Sequence, residues 1–274
     1  MHNKMNKIIW LCPILMLALA AWIFTLFGFS IWAAIFISLL LVCPAIIIYG
    51  MITIFLHPRG FSPKTLLTRG MPLDILAPIY DSYCPKIGLG QAFRQETLRH
   101  AGLKAGEYVL DVGCGTGVLT RLEAKAVGQE GKAIGIDPSA KMIAIALRNA
   151  NAEGSRPEFK LAVIEDIPYE ADTFDCVLSS LMLHHLPPDL KVKGLSEVYR
   201  VLKPGGRFIL IDIDRPSNSL WWAIFWPLLL WSFTKDQLIG RLGEIIRGRG
   251  FSKVEKVGVW GGFLGFWKAV KNKE

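Results

Sequence analysis

Val109-Leu110-Asp111-Val112-Gly113-Cys114-Gly115-Thr116-Gly117 decides the fold. A short apolar run from Tyr108 ends in glycines, and Val118 to Val127 then repeats its apolar residues at helical spacing, so the glycines fall on a strand-to-helix turn. Glycines at 113, 115 and 117 let a ligand approach the backbone, and the helix start behind them offers free N–H groups. A dinucleotide fingerprint would need a further glycine at Val118, which is a branched residue, so hydride transfer loses ground. Asp137 lies about 20 residues on, at the end of the next apolar run, where a carboxylate accepts hydrogen bonds from two ribose hydroxyls. Loop and carboxylate together point to a nucleoside cofactor.

Outward from this turn, strands and helices alternate. Ala133 to Ile136 reads as a strand, and Ser139 caps a helix to about Asn149. Phe159 to Val163, Cys176 to Ser180 and Arg207 to Ile213 supply three more strands, with a helix from Pro188 to Leu202. Upstream, Asp74 to His100 has one helical pattern. Downstream, a helix from Lys235 to Arg249 precedes strands Ser252 to Val259 and Phe263 to Val270, joined by Trp260-Gly261-Gly262. The expected architecture is a three-layer, Rossmann-like α/β sandwich: a mostly parallel seven-stranded sheet closed by a C-terminal antiparallel hairpin.

Residues 1–56 differ in kind. From Ile8 to Leu56 there is no Asp, Glu, Lys, Arg or His. About 20 apolar residues cross a bilayer as a helix, so the run is long enough to cross twice, turning at Gly28-Phe29-Ser30. Lys4 and Lys7 flank its start, and Arg59, Lys64 and Arg69 its end. The positive-inside tendency places both ends in the cytoplasm, which predicts a transmembrane helical hairpin, in a bacterial inner membrane, carrying a cytoplasmic domain. A signal peptide cleaved after Ala18-Leu19-Ala20 is the alternative, and the second apolar segment would still anchor its product. Residues 57–75 hold Pro58, Gly60, Pro63, Gly70 and Pro72, a linker before a folded domain over 76–274.

Without Lys4 and Lys7 the formal charge of +8 becomes +6 over the rest of the chain. That excess fits attraction to anionic lipid headgroups, and nucleic acid is the disfavoured rival, since the cations are scattered and no nucleic-acid module is visible. Five widely spaced cysteines without a C-x-x-C pair indicate neither a disulfide framework nor a metal site. Ser219 to Phe233 carries Trp221, Trp222, Trp226 and Trp231 in a stretch too short to span. Because Trp prefers the bilayer interface, this segment is expected to dip into the membrane as a lid admitting a lipophilic acceptor; a buried aromatic cluster is the rival.

The chain resembles the class I S-adenosylmethionine-dependent methyltransferases, within them the ubiquinone/menaquinone C-methyltransferase type, from about Leu73 to Lys271. The likeness rests on LAPIYD (76–81), VLDVGCGTG (109–117), GIDPSAKMI (135–143), EDIPY (165–169), FDCVLSS (174–180), LHHLP (183–187) and LKPGGRF (202–208). It implies S-adenosylmethionine as cofactor, with its methionine part near Asp111, Gly113 and Thr116 and its ribose on Asp137. Adenine is then expected between Met142 and Val163-Ile164, and Ser180 near the sulfonium. Cys114, Gly115, Gly117, Pro138 and Glu165 complete the implied site. Relatives carry Asp or Asn where this chain has Val163; Asp166 is a candidate replacement.

Methyl transfer needs a nucleophile held in line, with a base only for some acceptors. The candidates at strand ends are Tyr80, Asp81, His184, His185 and Asp212; both histidines have a capping or packing role as the alternative. LKPGGRF reads as a turn before the fifth strand. The expected substrate is a lipophilic quinone precursor or lipid; a tethered enzyme for a soluble small molecule and a non-catalytic cofactor-binding scaffold are the rivals.

Overall fold

A computed structural model describes residues 66, 68–70, 73–74 and 76–273. The expected transmembrane hairpin, and the linker up to residue 65, lie outside the described residues. Among those described, no helix is long and apolar enough to cross a membrane. Two compact units are distinguished, one with residues 66–217 and 232–273 and one with residues 218–231.

The larger unit begins with α1 (Tyr80–Tyr83), a 3-10 turn (Cys84–Ile87) and α2 (Gln91–Ala101). The single helix expected over 74–100 is therefore broken, because Pro85 removes a backbone donor and Gly88 and Gly90 follow it. Next come β1 (Tyr108–Val112), α3 (Val118–Val127), β2 (Lys132–Asp137), α4 (Ala140–Glu153), β3 (Glu158–Leu161) and β4 (Phe174–Ser180). After a 3-10 turn (Leu183–His185) follow α5 (Pro188–Val201) and β5 (Leu202–Ile213). The smaller unit holds α6 (Ser219–Phe225) and a 3-10 turn (Trp226–Leu230); the larger resumes with α7 (Ser232–Leu238), α8 (Leu242–Arg247), β6 (Ser252–Trp260) and β7 (Leu264–Val270). The helix expected over 235–249 is thus also two.

The seven strands run in the order β3-β2-β1-β4-β5-β7-β6, with β1 to β5 parallel and β7 antiparallel to both its neighbours. This is the expected sandwich. From β1 the chain winds to one side through β2 and β3, then returns to place β4 on the other side. That reversal opens a crevice at the C-terminal ends of β1 and β4, where parallel sheets bind ligands. Successive residues of a strand face opposite layers, so Val109, Cys176, Leu178 and Ile209 pack with Phe93 and Leu119, while Leu110, Val177 and Leu210 pack with Leu195 and Val198.

LKPGGRF extends β5 rather than preceding it: Leu202 pairs with Phe174, and the register shifts before Arg207 meets Cys176. Arg207 has a structural task. Its guanidinium donates to Glu107 at 2.7 and 2.9 Å and to the carbonyl oxygens of Ala101 at 2.6 Å and Gly102 at 3.0 Å, satisfying the end of α2.

In the smaller unit, Asn218 caps α6 by accepting from the Trp221 amide at 3.0 Å, and Trp221 stacks on Phe225 with ring centroids 5.5 Å apart.

Candidate functional site

The glycine loop is tied to β2 at its base, since the amides of Gly113 and Cys114 both donate to Ile136 O, at 2.8 and 3.0 Å. Gly113 has φ +77°, and a Cβ there would meet Met182 Cγ at 2.4 Å. Gly115, at φ +54°, is packed differently: the nearest atoms to such a Cβ are Tyr80 Cε1 at 3.9 Å and Met142 Sδ at 4.0 Å. Its missing side chain leaves an open face on the cavity. The Gly115 amide donates to Asp137 Oδ2 at 3.0 Å, and the Ser139 amide donates to Oδ1 at 2.8 Å. Each Asp137 oxygen keeps a lone pair for a further donor, as two neighbouring ribose hydroxyls require. Burial pushes this carboxyl up to about 6 against the pull of those two amides.

A cavity beside Asp137 is walled on one side by Met142, Ala162, Val163 and Ile164, an apolar slot of the kind that takes a flat purine. Ser139 caps α4 as expected, its Oγ accepting from the Met142 amide at 3.1 Å. Pro138 also lines this cavity, and its carbonyl accepts from the Leu66 amide at 2.9 Å. Thr68 donates to Glu165 Oε1 at 2.7 Å, so residues expected to be linker form part of the rim. Asp166 is exposed and does not line the cavity, leaving the Val163 wall apolar.

A second cavity adjoins the first, with Tyr80, Gly113, Gly115, Ser180 and Leu181 bordering both. Its lining includes one acid, Asp111, and one base, Arg94. Asp111 is buried, accepts from Thr120 Oγ1 at 2.7 Å, and has its pKa raised by burial. A carboxylate and a guanidinium in one cleft are complementary to the ammonium and carboxylate of an amino acid. The two cavities therefore fit the nucleoside and amino-acid halves of S-adenosylmethionine.

The other named residues divide by location. Thr116 donates to Asp81 Oδ1 at 2.6 Å, and Asn149 donates to Asp81 Oδ2 at 3.2 Å, so Asp81 fastens α1 to the loop and lines neither cavity. Tyr80 lines both, but burial and the adjoining Cys84 raise its phenol pKa, which disfavours a base. The Cys114 thiol packs where a Gly135 Cβ would lie, and burial holds its pKa high. Gly117 packs on Phe159 and Ala146 and lines neither cavity. His185 lines the first cavity, and burial holds its imidazole neutral. His184 lies beside it, paired through Nδ1 with Asp212 Oδ1 at 2.6 Å.

Sequence reading missed Arg94, Thr68, Leu181 and Met182. Arg94 has nothing local to distinguish it from the other cations of α2. Leu181 turns through a left-handed φ of +58°, uncommon for a branched residue, and so brings Met182 over Gly113.

The sequence model of a family described as a methyltransferase domain matches residues 109–206. The chain is 33% identical over 173 residues to a demethylmenaquinone methyltransferase of Symbiobacterium thermophilum, covering 59% of this chain and 68% of the relative. It is 36% identical over 191 residues to an uncharacterised methyltransferase of Synechocystis, covering 68% and 86%. Among solved structures, a SAM-dependent methyltransferase from Aquifex aeolicus superposes with a TM-score of 0.55 at 24% identity, over 71% of this chain and 96% of that one, a likeness of fold. The glycine loop, the Asp137 carboxylate beside it and the relatives agree: the chain is an S-adenosylmethionine-dependent methyltransferase and belongs to the class I family, within its ubiquinone/menaquinone C-methyltransferase type.

Proposed function

We propose that this enzyme methylates a ring carbon of a lipophilic quinol of the demethylmenaquinone kind. The observation that carries the reading is the similarity to a demethylmenaquinone methyltransferase across more than two-thirds of that relative's length. Bound S-adenosylmethionine supplies an electrophilic methyl group on a sulfonium. The protein's part is positional: Asp137 and the Gly115 backbone hold the ribose end, Met142, Val163 and Ile164 flank the adenine, and Arg94 with Asp111 take the amino-acid end. Ser180 and Leu181, bordering both cavities, mark where the methyl group meets its acceptor.

An acceptor of this type resides in the bilayer, and two features support a membrane-bound enzyme. One is the uncharged run from Ile8 to Leu56, with basic residues at both ends that favour a cytoplasmic catalytic domain. The other is the 218–231 unit, in which Leu220, Trp226 and Leu230 are exposed, an apolar surface suited to the membrane interface. Membranes incubated with methyl-labelled S-adenosylmethionine and the enzyme should yield a labelled quinone. Label appearing only in phospholipid, or only in added water-soluble phenols, overturns the proposal.

A further inference from the structure

Asp212 stands on β5 one residue beyond the Ile211 that pairs with Ser180, at the end of the sheet where the two cavities open. It is fully buried and surrounded by donors. His184 Nδ1 lies 2.6 Å from Oδ1, the Ile213 amide donates to Oδ1 at 2.7 Å, and the His184 amide donates to Oδ2 at 3.2 Å. A carboxylate at Nδ1 places the imidazole proton there, which fixes the ring and leaves the lone pair on Nε2. No described residue hydrogen-bonds Nε2, and the side chain keeps 17% of its surface exposed. Ser180 at the end of β4, Leu181 and Met182 after it, and His185 of the turn border the cofactor cavity, while His184 itself stands beside them and lines neither cavity.

The groups around this pair are His185 from the same turn and Lys191 from α5. The His185 ring lies 4.0 Å from that of His184, centroid to centroid, and is held neutral by burial, by His184 and by Lys191. Lys191 is buried and donates to Gln237 Oε1 at 2.8 Å and to Phe233 O. Burial lowers its pKa to about 8, against the attraction of Asp212 and of Asp236 on α7.

We propose that His184 is the catalytic proton acceptor and Asp212 its positioning residue, an inference that rests on the quinol reading above. A ring hydroxyl gives its proton to His184 Nε2 as the adjacent ring carbon bonds to the methyl group. The C–S bond breaks with its electron pair left on sulfur, giving the neutral thioether. The C–H proton of that carbon is then lost to water and the ring oxygen is reprotonated, restoring the aromatic ring. His184 sheds its proton to solvent, so each methyl transfer releases one proton.

The test uses the full chain with a short-chain naphthohydroquinone and a series of naphthols of graded acidity. His184→Asn keeps an N–H toward Asp212, so the buried carboxylate retains a donor. This variant should bind S-adenosylmethionine within about twofold of the parent by calorimetry and lose about 10²- to 10³-fold in kcat. The deficit should shrink as the acceptor hydroxyl becomes more acidic and as pH rises. Asp212→Asn should show a smaller deficit with the same trend. A deficit independent of acceptor acidity and pH assigns His184 a structural role and overturns the proposal, as does a kcat near that of the parent. A parent that methylates no quinol or naphthol overturns the acceptor reading first, and this inference with it.

Discussion

Alanine at Gly113 would carry a Cβ to 2.4 Å from Met182 Cγ and 2.8 Å from Met182 Cβ, at a φ of +77°. Two costs add. The left-handed backbone costs a residue with a side chain about 1–2 kcal/mol, and forcing a methyl into an occupied position costs about 1–3 kcal/mol. Met182 cannot simply swing away, because the overlap falls on the first two atoms of its side chain rather than its tip. The sum, about 2–5 kcal/mol, lowers Tm by roughly 5–15 °C for a domain of this size. Gly115→Ala is the internal control. It meets the backbone cost but nothing closer than 3.9 Å, and its methyl projects toward the cavity. It should melt only a few degrees below the parent yet lose about tenfold or more in cofactor affinity, near 1.4 kcal/mol. Calorimetric melting and cofactor titration of both variants, with Met182→Gly added to Gly113→Ala, separate the two costs. The added change should recover the packing cost and leave the backbone cost. Equal melting temperatures for the two alanine variants would refute crowding by Met182 as the source of the difference.

Three further outcomes follow from the same geometry. Asp137 is raised to about 6, and ribose hydroxyls favour its ionised form, so S-adenosylmethionine affinity should weaken as pH falls through about 6. Stability runs the other way: the proton favoured by the native state contributes about 3 kcal/mol below the unfolded pKa and is lost as pH rises through about 6. Asp137→Asn should flatten both dependences, and pH-resolved titration and melting read them. Arg94→Ala should raise the cofactor Kd by about 10- to 100-fold through loss of a charge-assisted bond, while leaving the affinity for 5′-methylthioadenosine, which lacks the amino-acid half, unchanged. Asp81→Ala should cost about 1 kcal/mol of stability by freeing Thr116 and Asn149 and weaken cofactor binding, with kcat at saturating cofactor preserved; a lower saturating kcat would assign Asp81 to the chemistry.

The features legible in the chain alone are local. A strand, a glycine turn and a helix are encoded within 109–127, and the carboxylate that ends β2 stands about 20 residues on because one βαβ unit places it beside the loop. Strand number and the antiparallel closure were legible because alternation and turn chemistry act over a few residues. Packing of the layers governed what depends on residues far apart in the chain. It set Arg94 on the second cavity and brought Thr68 to Glu165 across 97 residues. It also tied Asp81 to Thr116 and Asn149 and joined His184 to Asp212, which share no local pattern. Such pairings arise because sheet order puts the ends of β1, β4 and β5 side by side. Side-chain protonation is settled there too, since burial, which sets the direction for Asp137, His185 and Lys191, exists only once the layers have closed.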